Sequence, residues 1–455
     1  MTKHFKFSFK YLGNSLLCRV MFLIMALFVF QACSKKNIVY NSVNKELTGP
    51  FKNIKIHQNS VGSGPCEPSI SINPRDVNKI VAGSVLNNVY TSKDGGKTWA
   101  KSVLSSSQGV YGDPVIRHDF KGNVYYSHLA NPKNKAYGSV EFLDKIVVQS
   151  SSDNGKSWTD GTFPQVDHLK DHDKQWLAMH PETGEIAMTW TEFDKYGSED
   201  TIHKSRILFS KSSDQGRSWT KSVTINEWEG DCLDNDYTTE GAHPAFGING
   251  EIYVVWCFDE KIWMDVSEDG GKTWGKDRVI GQQKGGWAFD IPGIRRSNGF
   301  PTIKVDYTSN GGKGNIYVQW SDQRNGQDNT DIFMIRSTDR GKTWSKEITV
   351  NDDNSKRQQF YSWMDVDQAT GYLYLVFYDR RNHDDDQTDV YLAYSTDQGK
   401  TFKNVKVSES PFVPIRNVFF GDYNDISVEN GVIRPIWTRQ EGQELSVLTA
   451  IIQHK

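Results

Sequence analysis

Cysteine is scarce in this chain. Only five of its 455 residues are cysteines, and none falls at the spacing of a zinc ligand set or a redox pair, so neither chemistry is expected. No acidic segment has the ligand spacing of a calcium cage, and no metal or cofactor is expected. Helix-period stretches are absent. No charge sign dominates: the net charge is -3 with both signs interspersed. Without a basic stripe, nothing argues for a nucleic-acid partner. Long apolar runs are missing apart from Val20 to Phe30, which is short for a spanning helix.

That one run has a recognisable setting. A basic segment, Lys3 to Arg19, precedes it and Gln31-Ala32-Cys33-Ser34 follows, the order of a bacterial lipoprotein signal over residues 1–32. Cleavage before Cys33 would leave its thiol and new amine to be acylated, and multiple acyl chains hold a protein on a bilayer almost irreversibly. A plain secretory peptide or an uncleaved anchor are the alternatives. Residues 33–50 then read as lipidated cysteine and tether, placing the remainder, 51–455, on the bacterial cell envelope, with the outer membrane as the expected location. Three cysteines, Cys66, Cys232 and Cys257, remain in that domain, and Cys232 and Cys257 either pair or stay as free thiols.

Turn signals are abundant. The phrase Ser/Thr-x-Asp-x-Gly-x-Thr/Ser-aromatic occurs six times, at Ser92 to Trp99 and around Asp153, Asp214, Asp269, Asp339 and Asp397. Each copy has the chemistry of a tight hairpin: the carboxylate accepts backbone N–H groups, the glycine takes a positive φ, and the aromatic packs back under the strands. Paired β-rich runs start at Pro68, Pro114, Trp176, Pro244, Pro301, Trp363 and Tyr423, giving seven units although only six carry the phrase. The seventh unit lacks a fourth strand, and Asn53 to His57 is the natural segment to supply it. The predicted fold is all-β: one seven-bladed β-propeller, its ring closed by the N-terminal strand.

The repeated phrase resembles the box of the Asp-box (bacterial neuraminidase repeat) family. That resemblance implies a sialidase-like β-propeller with each box at the turn between a blade's third and fourth strands. It also implies that the six Asp residues are structural. Typical sialidases have six blades, so this chain departs from them.

In such a propeller the loops leading into each blade's first strand surround the channel on the face opposite the boxes. Here those loops carry Asp171-His172-Asp173, the acidic segment Asn226 to His243, the stretch Trp287 to Arg296, and Arg416 to Tyr423. Exposed aromatics stack on sugars, guanidinium groups grip acids, and carboxyl or Tyr–acid pairs move protons and attack. The resemblance to sialidases implies roles by position: Arg296 and Arg416 as substrate-clamp residues, Tyr423 as nucleophile, Asp171 or Asp173 as acid/base, and Glu240 polarising Tyr423. Trp287 is the candidate stacking residue. The Phe-Arg-Ile-Pro motif of true sialidases is missing, which counts against sialic acid as the substrate.

Three function classes follow. The first is an envelope-anchored glycosidase acting on acidic, uronate- or sialate-containing and possibly sulfated glycans. The second is a uronate polysaccharide lyase or oligosaccharide dehydratase, of the ulvan type, using His172, His243, Tyr423 and Arg416. The third is a non-catalytic glycan-binding or scaffold propeller. The expected partners are an acidic polysaccharide or oligosaccharide, the membrane through Cys33, and other glycan-utilisation proteins.

Overall fold

Seven antiparallel sheets stand around one axis, and each begins with a short strand against the channel. The structure, a computed structural model, describes residues 46–59, 64–139 and 142–454. The leader-like segment and Cys33 lie outside them. The innermost strands of blades 1 to 7 are Ser69–Ile72, Val115–His118, Asp171–Met179, Glu240–Phe246, Thr302–Val305, Gln359–Val366 and Asp425–Glu429. Each packs against the next, and the seventh packs against the first, so the ring is closed. Among the described residues there is no helix, and none is long and apolar enough to cross a membrane.

Closure uses the predicted segment. Lys52–Asn59 pairs antiparallel with Glu444–Gln453, Lys52 opposite Ile451 and Asn59 opposite Leu445, with a bulge between Lys55 and His57. The chain reaches this strand along the Asp-box face: the Leu47 N–H donates to the Tyr394 hydroxyl at 3.3 Å, and Glu46 pairs with Lys403 beside the sixth box. Second strands such as Ile252–Phe258 are buried along nearly their whole length because neighbouring blades cover both faces. That explains why they read as unbroken apolar runs. Blade 2 departs from the four-strand expectation. Its outer strand shrinks to one bridge, Val148 to Thr162, because Gly161 turns with φ +96° and Pro164 cannot donate to a ladder.

The boxes work as the residue types require. In blade 2, Asp153 Oδ1 accepts the N–H groups of Lys156 and Ser157 at 3.0 and 2.9 Å, and Oδ2 accepts the Ser157 hydroxyl at 2.7 Å. The Trp158 indole donates to the Gly155 carbonyl at 3.1 Å. These bonds, led by the Ser157 hydroxyl, pull Asp153 down to about 2. Cys232 and Cys257 do not pair: both are buried free thiols, as is Cys66. Recurrent Asp–Arg loops in blades 5 and 6 are clamps. Arg324 Nε reaches both oxygens of Asp322 at 2.9 and 3.0 Å and lies 3.8 Å over Phe333, and Arg381 repeats this on Asp379 and Tyr391.

Candidate active site

At the channel end opposite the boxes, six of the seven inner strands, all but that of blade 5, meet the leading loop at one irregular residue. Glu67, Asp113, Lys174 and Tyr361 have φ of +50°, +51°, +51° and +51°, and Gly241 and Gly421 occupy the same place in blades 4 and 7 at +71° and +94°. Where the strand pairing can be followed, the ladder shifts register here, between Thr189 and Thr191, Glu240 and His243, and Phe360 and Trp363. A bulge re-aims one side chain out of the pleat. For a non-glycine residue the left-handed region costs about 1–2 kcal/mol, and such outliers cluster at functional sites. At Gly421 only glycine fits, since a Cβ would come within 2.9 Å of the Glu67 backbone nitrogen.

The four side chains so aimed enter one buried polar network. Lys174 Nζ bonds Asp113 at 2.9 Å and Asp422 at 2.8 Å. Arg296 Nε bonds Asp422 at 2.9 Å, and its terminal nitrogens pair with Asp422 and Asp234. The Tyr196 hydroxyl donates to Asp234 at 2.7 Å. The Tyr361 hydroxyl lies on the carbonyls of Gly421, at 2.8 Å, and Arg296. Two carboxyl groups lack donors: Glu67 Oε1 and both oxygens of Glu240 are buried without a hydrogen-bond partner. Glu240 faces Asp234 carboxyl to carboxyl.

These surroundings push the carboxyls apart. Burial opposes ionisation of Asp422, yet Arg296 and Lys174 hold it well below the usual carboxylate range. Burial raises Glu67 and Glu240, aided by Asp113 and Asp234 respectively. Asp173 is buried too and is pushed up to about 7 despite Lys174 beside it. Burial disfavours the Lys174 charge, but Asp113 and Asp422 keep it protonated. A buried ion costs several kcal/mol, on the order given by continuum estimates. A network holding carboxyls of unlike protonation therefore points to proton chemistry rather than to stability.

Two segments close over the mouth. Residues 283–301 form a cap with a small hairpin, Ala288–Phe289 against Ser297–Asn298. Residues 407–424 lie beside it, with Phe420 buried and Phe419 5.7 Å from the Arg296 guanidinium. Arg380, itself fully buried, donates to the Pro292 carbonyl at 2.7 Å and ties the cap down. Between Asn298, Tyr361, Trp363, Asp422 and Tyr423 no space for a water molecule is left, whereas the Arg296 side chain keeps 31% of its surface exposed.

The sequence-predicted residues divide accordingly. Asp173, Glu240 and Arg296 meet in the network. Asp171 lies just outside it, accepting the Tyr196 N–H at 2.8 Å and so pinning a loop. Tyr423 is a plug rather than a nucleophile: its ring packs 5.1 Å from Trp176, its hydroxyl meets the Pro114 carbonyl at 3.4 Å, and Glu240 faces Asp234 instead. His172 is no free base, because Nδ1 accepts from Trp190 at 3.0 Å, Nε2 meets the Asp167 carbonyl, and burial pulls it down to about 4. His243 sits below the plug, between Trp176 and Trp363, each 5.7 Å away. Trp287 is buried and stacked on Phe300 at 4.9 Å, unavailable to a sugar. Arg416 lies on the exposed rim with Asp290 at 2.7 Å, so no three-arginine clamp forms among the described residues. Lys174, Asp113, Asp422, Asp234, Glu67, Tyr196 and Tyr361 had no predicted role. Glu67 and Asp113 each stand immediately before a strand-opening proline, which was the available signal.

The molecule is thus an Asp-box β-propeller with a carboxyl-rich, capped channel mouth. The family model described as BNR/Asp-box repeat matches residues 90–101 and 335–346, the boxes of blades 1 and 5. Among solved structures, the chain is similar to an ulvan lyase, described as a new family of polysaccharide lyase. Identity is 10% over 88% of this chain and 96% of that one, with a TM-score of 0.53. The same lyase bound to -[GlcA(1-4)Rha3S]- gives 10%, the same shares and 0.51. The NanB sialidase from Streptococcus pneumoniae gives 10% over 83% and 84%, with 0.48. No curated protein matches the chain. At these identities the likeness is one of fold, a sialidase-like propeller with seven blades.

Proposed function

We propose that this protein is a carbohydrate-active propeller that hydrolyses glycosidic bonds at the capped mouth. The observation that carries the reading is the presence, in one buried network and on either side of Lys174, of a carboxyl pushed up to about 7, Asp173, and a carboxylate held ionised, Asp422. Glycoside hydrolysis needs an acid for the leaving oxygen and a carboxylate to serve as base or nucleophile. Asp173 or Glu240 supplies the proton, and Asp422 or Asp113 the negative charge. Lys174 and Arg296 set those charges and position the carboxylates.

Elimination is less well served. It needs a cation free to neutralise a uronate carboxylate and a base near neutrality, whereas Lys174 and Arg296 are each already bound to two carboxylates. An acidic substrate would meet a cation at the exposed rim instead, at Arg416. Acylation of Cys33 would place this activity on the cell envelope, alongside other glycan-utilising proteins.

A panel of acidic and neutral polysaccharides tests the reading. Hydrolysis releases reducing ends without the ultraviolet absorbance of a new C4–C5 double bond. Asp173→Asn should lower kcat by about 100-fold or more, as loss of a general acid does, and wild-type activity should fall as pH rises through about 7. Absorbance of the unsaturated product, or full activity in Asp173→Asn, would overturn it.

A further inference from the structure

A stripe of aromatic rings runs from the outer rim of blade 2 into the buried network. Tyr137 stands in the loop between the second and third strands of that blade, Val124–Ala130 and Lys145–Ser151. Tyr111 belongs to the loop leading into the same blade, and its N–H donates to the Leu129 carbonyl at 2.9 Å. Both rings meet the buried Phe142 in edge-to-face contact, Tyr111 at 5.4 Å and Tyr137 at 5.8 Å. Tyr137 in turn meets Tyr196 of blade 3 at 5.5 Å, and the Tyr196 hydroxyl lies 2.7 Å from Asp234 and 3.3 Å from Arg296. We infer that Tyr111 and Tyr137 form a stacking platform for sugar units of the glycan chain away from the point of cleavage, an inference that rests on the carbohydrate-active reading above.

Tyr137 keeps 64% of its surface in water and Tyr111 37%, so packing uses little of the area these rings could bury. Adjoining exposed apolar groups with a polar rim mark a contact surface, whereas a lone one does not. The Tyr137 ring is also held in place. A Cβ on Gly197 would collide with its hydroxyl, so glycine at that position lets the ring lie across to blade 3. A ring fixed before binding loses little freedom when a ligand arrives. Charge around the platform is mixed, with Lys133, Lys135 and Lys195 against Glu199 and Asp200, all exposed, and it selects neither sign. Recognition therefore falls to the ring faces, which match the apolar C–H face of a sugar through dispersion and burial. Because the stripe ends on Tyr196 inside the network, its occupant is a stretch of the same chain that is cut there.

Native gels cast with ulvan, alginate, chondroitin sulfate or neutral xylan test this on the full chain. At least one of the four should retard the wild type. On that gel Tyr137→Ala should raise the apparent Kd about tenfold, as truncation of an aromatic anchor does, and Tyr137→Phe, which keeps the ring, should migrate as the wild type does. No retardation by any of the four overturns the inference, as does unchanged retardation in the Tyr111→Ala/Tyr137→Ala double variant. Equal loss in Tyr137→Phe and Tyr137→Ala also overturns it, since the hydroxyl and not the face would then be the contact. Should Tyr137→Ala fail to fold, Tyr111→Ala decides by the same readout. Mobility is read without any cleavage product, so failure of the hydrolysis reading appears in the product assay alone and failure of the platform in the gels alone.

Discussion

Asp173 shows what the buried network asks of one residue. Its ordinary carboxylic value is 3.8 and burial carries it to about 7. Between those values the folded state binds the extra proton, so this group's contribution to stability declines as pH rises from about 4 to 7 and is level above. Asparagine can still accept the Lys174 N–H that Asp173 accepts at 2.7 Å. Asp173→Asn should therefore melt higher than the wild type at pH 8 and match it at pH 4, while losing activity. Differential scanning calorimetry at the two pH values checks this. The residue scale is also where the sequence was least legible. Asp173, Glu240 and Arg296 stood out as chemistry-bearing residues in long loops. Glu67 and Asp113 did not, because their inward aim comes from a left-handed φ that the neighbouring blades impose. Tyr423 misled because its place beside Gly421 is equally that of a plug.

Among the elements, the boxes were the most legible, since every partner of the aspartate lies within four residues and needs no tertiary context. Asp153→Ala should destabilise by about 1–2 kcal/mol through lost hydrogen bonds, measured by urea unfolding at pH 6. Because the folded value is depressed to about 2 from 3.8, that difference should vanish as pH falls from about 4 to 2. Box carboxylates in five other blades share the geometry and a lowered value. The cap was not legible as a cover, because Phe289, Ile291 and Ile294 read as loop aromatics and aliphatics until the closed ring gives them a surface to lie on. Arg380→Gln removes the tie to Pro292. Amides of residues 286–296 should then exchange about tenfold faster by hydrogen–deuterium mass spectrometry, reflecting easier local opening.

For the whole molecule, closure is the cooperative step. Deleting residues 46–59 would strip blade 7 of its outer strand and bare the edge of Glu444–Gln453, a template for pairing with other chains. Such a variant should aggregate on refolding, seen by light scattering at concentrations where the parent scatters little. The blade number was readable from the spacing of strand pairs even where a box was missing. The three-strand blade 2 was not, since Gly161 and Pro164 act locally within an otherwise regular unit.

Glu46 and Leu47 lie on the Asp-box side, so the latch of the ring and the cover of the mouth sit at opposite ends of one channel.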